Sequence, residues 1–173
     1  MTATSQLKGR GTTGRQWLGA PGNVFVTIGI PVDVWMTKMM KERKIPLTLL
    51  PLKIGELTAS LVQNELENCD ASGRVTVKWP NDVLVDDKKI SGTLIENASN
   101  WFLIGVGINV AHAPTVPTTG ANYGRPSVSL DNYCDTGDTE ERNKKARDMG
   151  VELALSFHRW IYEEDSDTGE IIV

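Results

Sequence analysis

The sequence predicts a mixed α/β domain of the α+β type, in which helices cover a largely antiparallel sheet. Three observations carry that expectation. Short β-branched runs crowd the middle of the chain, the connections between them are of hairpin length, and apolar residues recur at helical spacing on either side. With 173 residues, 40% hydrophobic and 23% charged, the chain has the size of one domain and enough apolar matter for one core.

Val24-Phe25-Val26-Thr27-Ile28-Gly29-Ile30 reads as a buried strand between Pro21-Gly22-Asn23 and Pro31. Trp35, Met36, Met39 and Met40 read as a helix face or lid packing. Beyond Pro51, the set Ile54, Leu57, Leu61, Val62 and Leu66 predicts a helix over residues 52–68. Residues 75–78 and 83–85 are strands joined by Trp79-Pro80-Asn81-Asp82, with Trp79 expected in the core, and Asp86-Asp87-Lys88 turns the chain into Ile90. Segments 92–96 and 101–110 are separated by Asn97-Ala98-Ser99-Asn100 and should pair antiparallel. Residues 111–126, holding Pro114, Pro117, Gly120, Gly124 and Pro126, form a long surface loop. Ala146, Met149, Leu153, Phe157, Trp160 and Ile161 place a final amphipathic helix over 140–162, followed by an acidic tail.

Lys plus Arg number 18 and Asp plus Glu 22, a formal charge of −4, so the global basic field of a general nucleic-acid binder is missing. No run of about 18 apolar residues and no signal-peptide pattern occur, which predicts a cytoplasmic protein with no membrane segment. Cys69 and Cys134 stand far apart without a CxxC pair or nearby His, which speaks against structural zinc; in an intracellular protein both thiols read as reduced.

Four segments could carry chemistry. Gly9-Arg10-Gly11-Thr12-Thr13-Gly14-Arg15 brings backbone N–H groups and guanidinium forks together, a pattern suited to an anion, although a solvated loop would look the same. Lys78-Trp79-Pro80-Asn81-Asp82 sets an ammonium, an amide and a carboxylate around a stiff corner, where the oxygens could hold Mg²⁺; an Asx-type turn is the plainer reading. Of Lys88 and Lys89, adjacent on a strand, one should face the functional side of the sheet and the other solvent, unless both are solvated turn residues. In Ile104-Gly105-Val106-Gly107-Ile108-Asn109 the glycines fall on one face, which either leaves a groove for a flat ligand, with the Asn109 amide at its end, or admits a closely packed helix.

Taken in order, G-R-G-T-T-G-R-Q-W, K-W-P-N-D-V-L-V-D-D-K-K-I-S-G and G-V-G-I-N-V resemble the catalytic domain of biotin protein ligases, within the biotin/lipoate ligase superfamily. The resemblance spans residues 6–110. It implies a fold like that of class II aminoacyl-tRNA synthetases and an ATP-dependent reaction. Biotin and ATP give biotinyl-5′-AMP and pyrophosphate, and biotin then passes to a lysine of the biotin carrier domain of a carboxylase. It implies Lys89 and Arg10 as catalytic residues, with Gln6, Gly9, Gly11, Thr12, Gly92, Gly105 and Gly107 also at the biotin side. Arg10 again, with Arg15, Trp17, Lys78, Asn81 and Asn109, falls to the nucleotide side, with Asp82 near Mg²⁺. Thr12 stands where the family often has a second arginine. Residues 1–173 are expected to be one catalytic domain without the family's N-terminal strand-helix segment and small C-terminal domain, and a homodimer could cover surface left open. A lipoate or octanoate ligase or transferase, or a non-catalytic biotin or nucleotide binder, are the competing readings.

Overall fold

The computed structural model describes residues 1–12, 16–116 and 124–163. Arg15, the centre of the 111–126 loop and the acidic tail lie outside the described residues.

Among the described residues the chain builds a six-stranded sheet and a separate hairpin. In chain order the strands are β1 (Thr2–Ala3), β2 (Gln6–Arg10), β3 (Gln16–Gly19), β4 (Val24–Pro31), β5 (Val75–Lys78), β6 (Asp82–Val85), β7 (Lys88–Ala98) and β8 (Trp101–Ile108). The large sheet has the order β1-β4-β8-β7-β6-β5, antiparallel throughout, and β2 pairs with β3 alone. The expected mixed, largely antiparallel sheet is therefore present. The connection between β7 and β8 is shorter than expected because the ladder continues to Ala98↔Trp101, leaving Ser99 at φ 56° and Asn100 to turn the chain.

Alternation along the strands gives the sheet two unlike faces. Ile104, Val106 and Ile108 of β8 join Val24, Val26, Val83, Val85 and Ile90 in one buried cluster. Against it pack α2 (Leu50–Asn68) and α3 (Thr139–Tyr162). In α2, Pro51 occupies the first turn, where its missing N–H costs nothing, and Leu50, Ile54, Thr58, Val62 and Leu66 form the buried stripe. Asp138 caps α3 by accepting from the N–H groups of Glu140 and Glu141. Trp35 and Met39 are fully buried within a π-helix (Trp35–Glu42) that continues α1 (Val32–Val34), whereas Met36 and Met40 are exposed. No single helix among the described residues is long and apolar enough to cross a membrane.

Two expectations are corrected. Trp79 is 70% exposed, not core: the corner it occupies follows Lys78 at the end of the edge strand β5 and projects from the sheet. Cys69 and Cys134, read as reduced thiols, form a disulfide. The end of α2 meets the turn after residues 130–132, bringing the two Cα atoms to 5.9 Å, within bridging range. The bond closes a loop of sequence separation 65, for which chain entropy alone gives about 4 kcal/mol. Denaturant unfolding with and without a dithiol should show reduction lowering stability by about 2–4 kcal/mol; an unchanged midpoint would show that the bond contributes nothing.

Candidate functional site

The face of the sheet away from α2 and α3 is bared by glycine. Gly92 lies directly opposite Gly107, and Gly107 opposite Phe25, so one cross-strand row is nearly free of side chains across two strands. The next row pairs Leu94 with Gly105 and Gly105 with Thr27. What lies on this floor is not a helix but the β2–β3 hairpin, through Trp17. A methyl on Gly107 would stand 2.6 Å from the Trp17 ring, and one on Gly92 would stand 3.1 Å from the same ring and 3.0 Å from Lys89 Nζ. Above Gly105 a methyl would meet only Leu94 O, at 3.6 Å.

The hairpin itself needs glycine. With Gly9 opposite Trp17 and Gly19 opposite Gln6, added Cβ atoms would lie 2.5 Å from Trp17 O and 2.2 Å from Gln6 O, so only hydrogen at both positions lets the strands close. This places Gln6, Gly9, Arg10, Gly11, Thr12 and Trp17 around a cavity of about 220 Å³ over the glycine floor. Arg10 is at its rim, donating to Glu96 Oε2 at 2.9 Å from a largely exposed position.

Lys89, not Lys88, turns toward this floor. Its ammonium donates to Asp82 Oδ1 at 2.6 Å and lies 5.5 Å from the Trp17 ring centroid, while Lys88 is exposed. The pair is half-buried, with side-chain exposures of 26% and 18%, so water screens it less than a surface bridge. A second, larger cavity of about 810 Å³ opens on the other side of Lys89. Gly11, Thr12, Trp17, Asn81 and Lys89 line both. Lys78, Asp82 and Asn109 line only the second.

Two amides are committed to backbone. Asn81 Nδ2 donates to Thr93 O at 3.0 Å while Thr93 N–H donates to Asn81 O, which fixes the Trp79-Pro80 corner on β7. Asn109, buried, donates from Nδ2 to Val128 O at 3.1 Å rather than offering that group to the cavity. It thereby holds a strap, residues 124–134, that runs parallel to Lys89: Lys89 N–H donates to Pro126 O at 2.8 Å and Val128 N–H to Lys89 O at 2.9 Å. Several site groups carry no motif signal. Glu96 and Leu94 reach the floor because they follow Gly92 at the strand period, which the alternation of β7 would have shown. Asn23 Oδ1 accepts from the N–H groups of Val110, Ala111 and His112, each at 3.0 Å, and so anchors the chain leaving β8. Trp17 Nε1 is buried without a hydrogen-bond partner among the described residues.

A bare floor and a lysine between two cavities suit a reaction in which two anions meet. The family model for the biotin/lipoate A/B protein ligase family matches residues 1–111. The chain belongs to that family. A biotin–[acetyl-CoA-carboxylase] ligase of Paracoccus denitrificans is 29% identical over 172 residues, which cover 95% of this chain and 63% of that protein. The bifunctional ligase/repressor BirA of Bacillus subtilis (strain 168) is 34% identical over 120 residues, 66% of this chain and 33% of its own length. Among solved structures, the biotin protein ligase of Leishmania major in complex with biotinyl-5-AMP superposes with a TM-score of 0.60 at 26% identity, covering 94% of this chain and 62% of that one. That of Aquifex aeolicus in complex with biotin and ATP gives 0.62 at 25% identity, covering 90% and 60%. The chain thus spans less than two thirds of the length of each of these relatives.

Beyond the strap's parallel stretch, Tyr133 donates its hydroxyl to Asp86 Oδ2 at 2.9 Å. Burial, then the bond to Asp86, pushes the phenol from 10.0 up to about 12; the Arg74 N–H, then this hydroxyl, hold the Asp86 carboxyl below the usual range. Because the phenol binds its proton more tightly when folded, its contribution to stability is complete below pH 10.0 and is lost as pH rises through about 12. A tyrosinate absorbance titration should show a late-ionising phenol that Tyr133→Phe removes; no difference between the two proteins would contradict the contact.

Proposed function

We propose that residues 1–173 are one catalytic domain of a biotin protein ligase. It condenses biotin with ATP to biotinyl-5′-AMP and pyrophosphate, then delivers biotin to a lysine of the biotin carrier domain of a biotin-dependent carboxylase. The observation that carries this reading is the position of Lys89 Nζ, beside the glycine floor and at the junction of the two cavities.

Biotin lies over Gly105 and along the Trp17 ring, which itself covers Gly92 and Gly107, with its carboxylate toward Lys89, and ATP fills the larger cavity with its α-phosphate at the same ammonium. A carboxylate oxygen attacks the α-phosphorus, the bond to the bridging oxygen breaks, and pyrophosphate leaves. In the second step the carrier lysine's neutral amine attacks the acyl carbon, AMP leaves, and the amine's proton is released. Lys89 offsets the repulsion between the two anions and stabilises charge that grows during attack. It is held for this by the strap on one side and Asp82 on the other. Arg10 adds a second cation at the rim, Gln6 and the backbone of Gly9, Gly11 and Thr12 bound the biotin end, and the Trp17 Nε1 donor, lacking a partner among the described residues, can be met by ligand. Arg15, Lys78, Asn81 and Asn109 are assigned to the nucleotide side.

Mg²⁺ enters as part of the ATP substrate. Among the described residues no three His, Cys, Asp or Glu side chains cluster as a protein cage, and Asp82 already holds Lys89, so phosphate and water oxygens supply most of its ligands.

Pyrophosphate release from ATP, measured with biotin, lipoate, octanoate or no acid, tests the reading. Release that requires biotin is the expected result; release with lipoate or octanoate instead, or binding without release, would overturn it. Lys89→Ala should lower adenylate formation about a hundredfold, and an unchanged rate would remove Lys89 from its assigned role.

A further inference from the structure

We infer that Arg125 is a nucleotide-contacting residue, an additional determinant of ATP affinity in the wall of the larger cavity. The inference rests on the ligase reading only in naming ATP as the ligand.

Arg125 lies on the strap and lines the larger cavity, not the smaller one over the glycine floor. Its position is fixed by the backbone. Ser127 pairs in parallel with Lys89, so two residues earlier the strap runs beside Asp87, and Arg125 Nη1 donates to Asp87 O at 3.0 Å. At the rise of an extended chain this sets Arg125 about 7 Å along the strap from the level of Lys89, a span within the length of one nucleotide. A guanidinium used by one carbonyl keeps further N–H groups directed outward.

The neighbouring carboxylates bond to other groups. Asp87 pairs its carboxylate with Arg74, Asp86 accepts from Tyr133 and the Arg74 N–H, and Asp82 holds Lys89. Among the described residues no carboxylate pairs with Arg125, and residues 117–123 contain no Asp or Glu. Among the described residues the larger cavity is therefore walled by Lys78, Lys89 and Arg125 against one acid, Asp82. That excess of positive charge suits a polyanion, and Arg125 is the planar, permanently charged member of the set, able to fork onto phosphate oxygens or lie against a flat ring.

The test compares wild type, Arg125→Ala and Arg125→Lys in biotin-dependent pyrophosphate release and, without turnover, in equilibrium titration with MgATP and with biotin. Arg125→Ala should raise both the KM and the Kd for ATP about tenfold while those for biotin stay within about twofold; Arg125→Lys, which keeps charge but loses the planar fork, should fall between. Unchanged ATP affinity would overturn the assignment, as would equal weakening of ATP and biotin, which marks a collapsed strap. A wild type that binds MgATP but releases no pyrophosphate would overturn the ligase reading alone, with Arg125 then judged by its Kd. A wild type that binds no MgATP would overturn both.

Discussion

The pairing of Gly92 with Gly107 across β7 and β8 is the constraint on which the rest of the site depends. Each glycine alone weakens its strand, because it offers no side chain to pack and loses more freedom on folding. Placed opposite one another they remove the side-chain layer from one patch of an otherwise well-covered sheet. The ladder survives because the opposite face is filled by Ile104, Val106 and Ile108 under the helices. Ser91 Oγ adds a bond to Gly107 O at 2.8 Å within the same two strands. Stability is supplied by one face and access by the other.

The electrostatics follow from that geometry. Lys89 stands beside this floor with the Trp17 ring 5.5 Å from its ammonium, and its main chain must be held firmly to keep the cation there. The strap supplies this by bonding both the N–H and the C=O of Lys89, and Asn109 and the disulfide at Cys134 tie the strap to the body of the fold. Asp82 completes the arrangement by offsetting the charge of Lys89. A cluster of this kind contributes less to stability than to placing charge where repulsion must be overcome.

Much of this was legible in residue order, and the exceptions have physical reasons. The buried strand from Val24, the helix after Pro51 and the helix ending near Tyr162 follow from periodicity because their apolar faces meet one core. That Gly105 and Gly107 share a face follows from the strand period, but that Gly92 stands opposite Gly107 is a matter of register, which no local pattern states. The Cys69–Cys134 bond is likewise tertiary: among the described residues, four strands, β5 to β8, and one short 3-10 turn separate the two cysteines, and only the packed fold brings them together. Trp79 was misplaced because hydrophobicity reports what a side chain prefers and not whether a corner at a sheet edge has anything to cover it. The place of Arg125 carries no sequence signal, because it depends on a parallel strap that leaves no periodic trace.

Calorimetric titration of biotin into wild type and Gly107→Ala tests the central claim most directly. The added methyl would meet the Trp17 ring at 2.6 Å and lift it from the floor. Biotin affinity should fall at least about tenfold, about 1.4 kcal/mol, with the cooperative unfolding transition retained. Equal affinity in the two proteins would mean that the Trp17-covered glycine floor does not shape the biotin site.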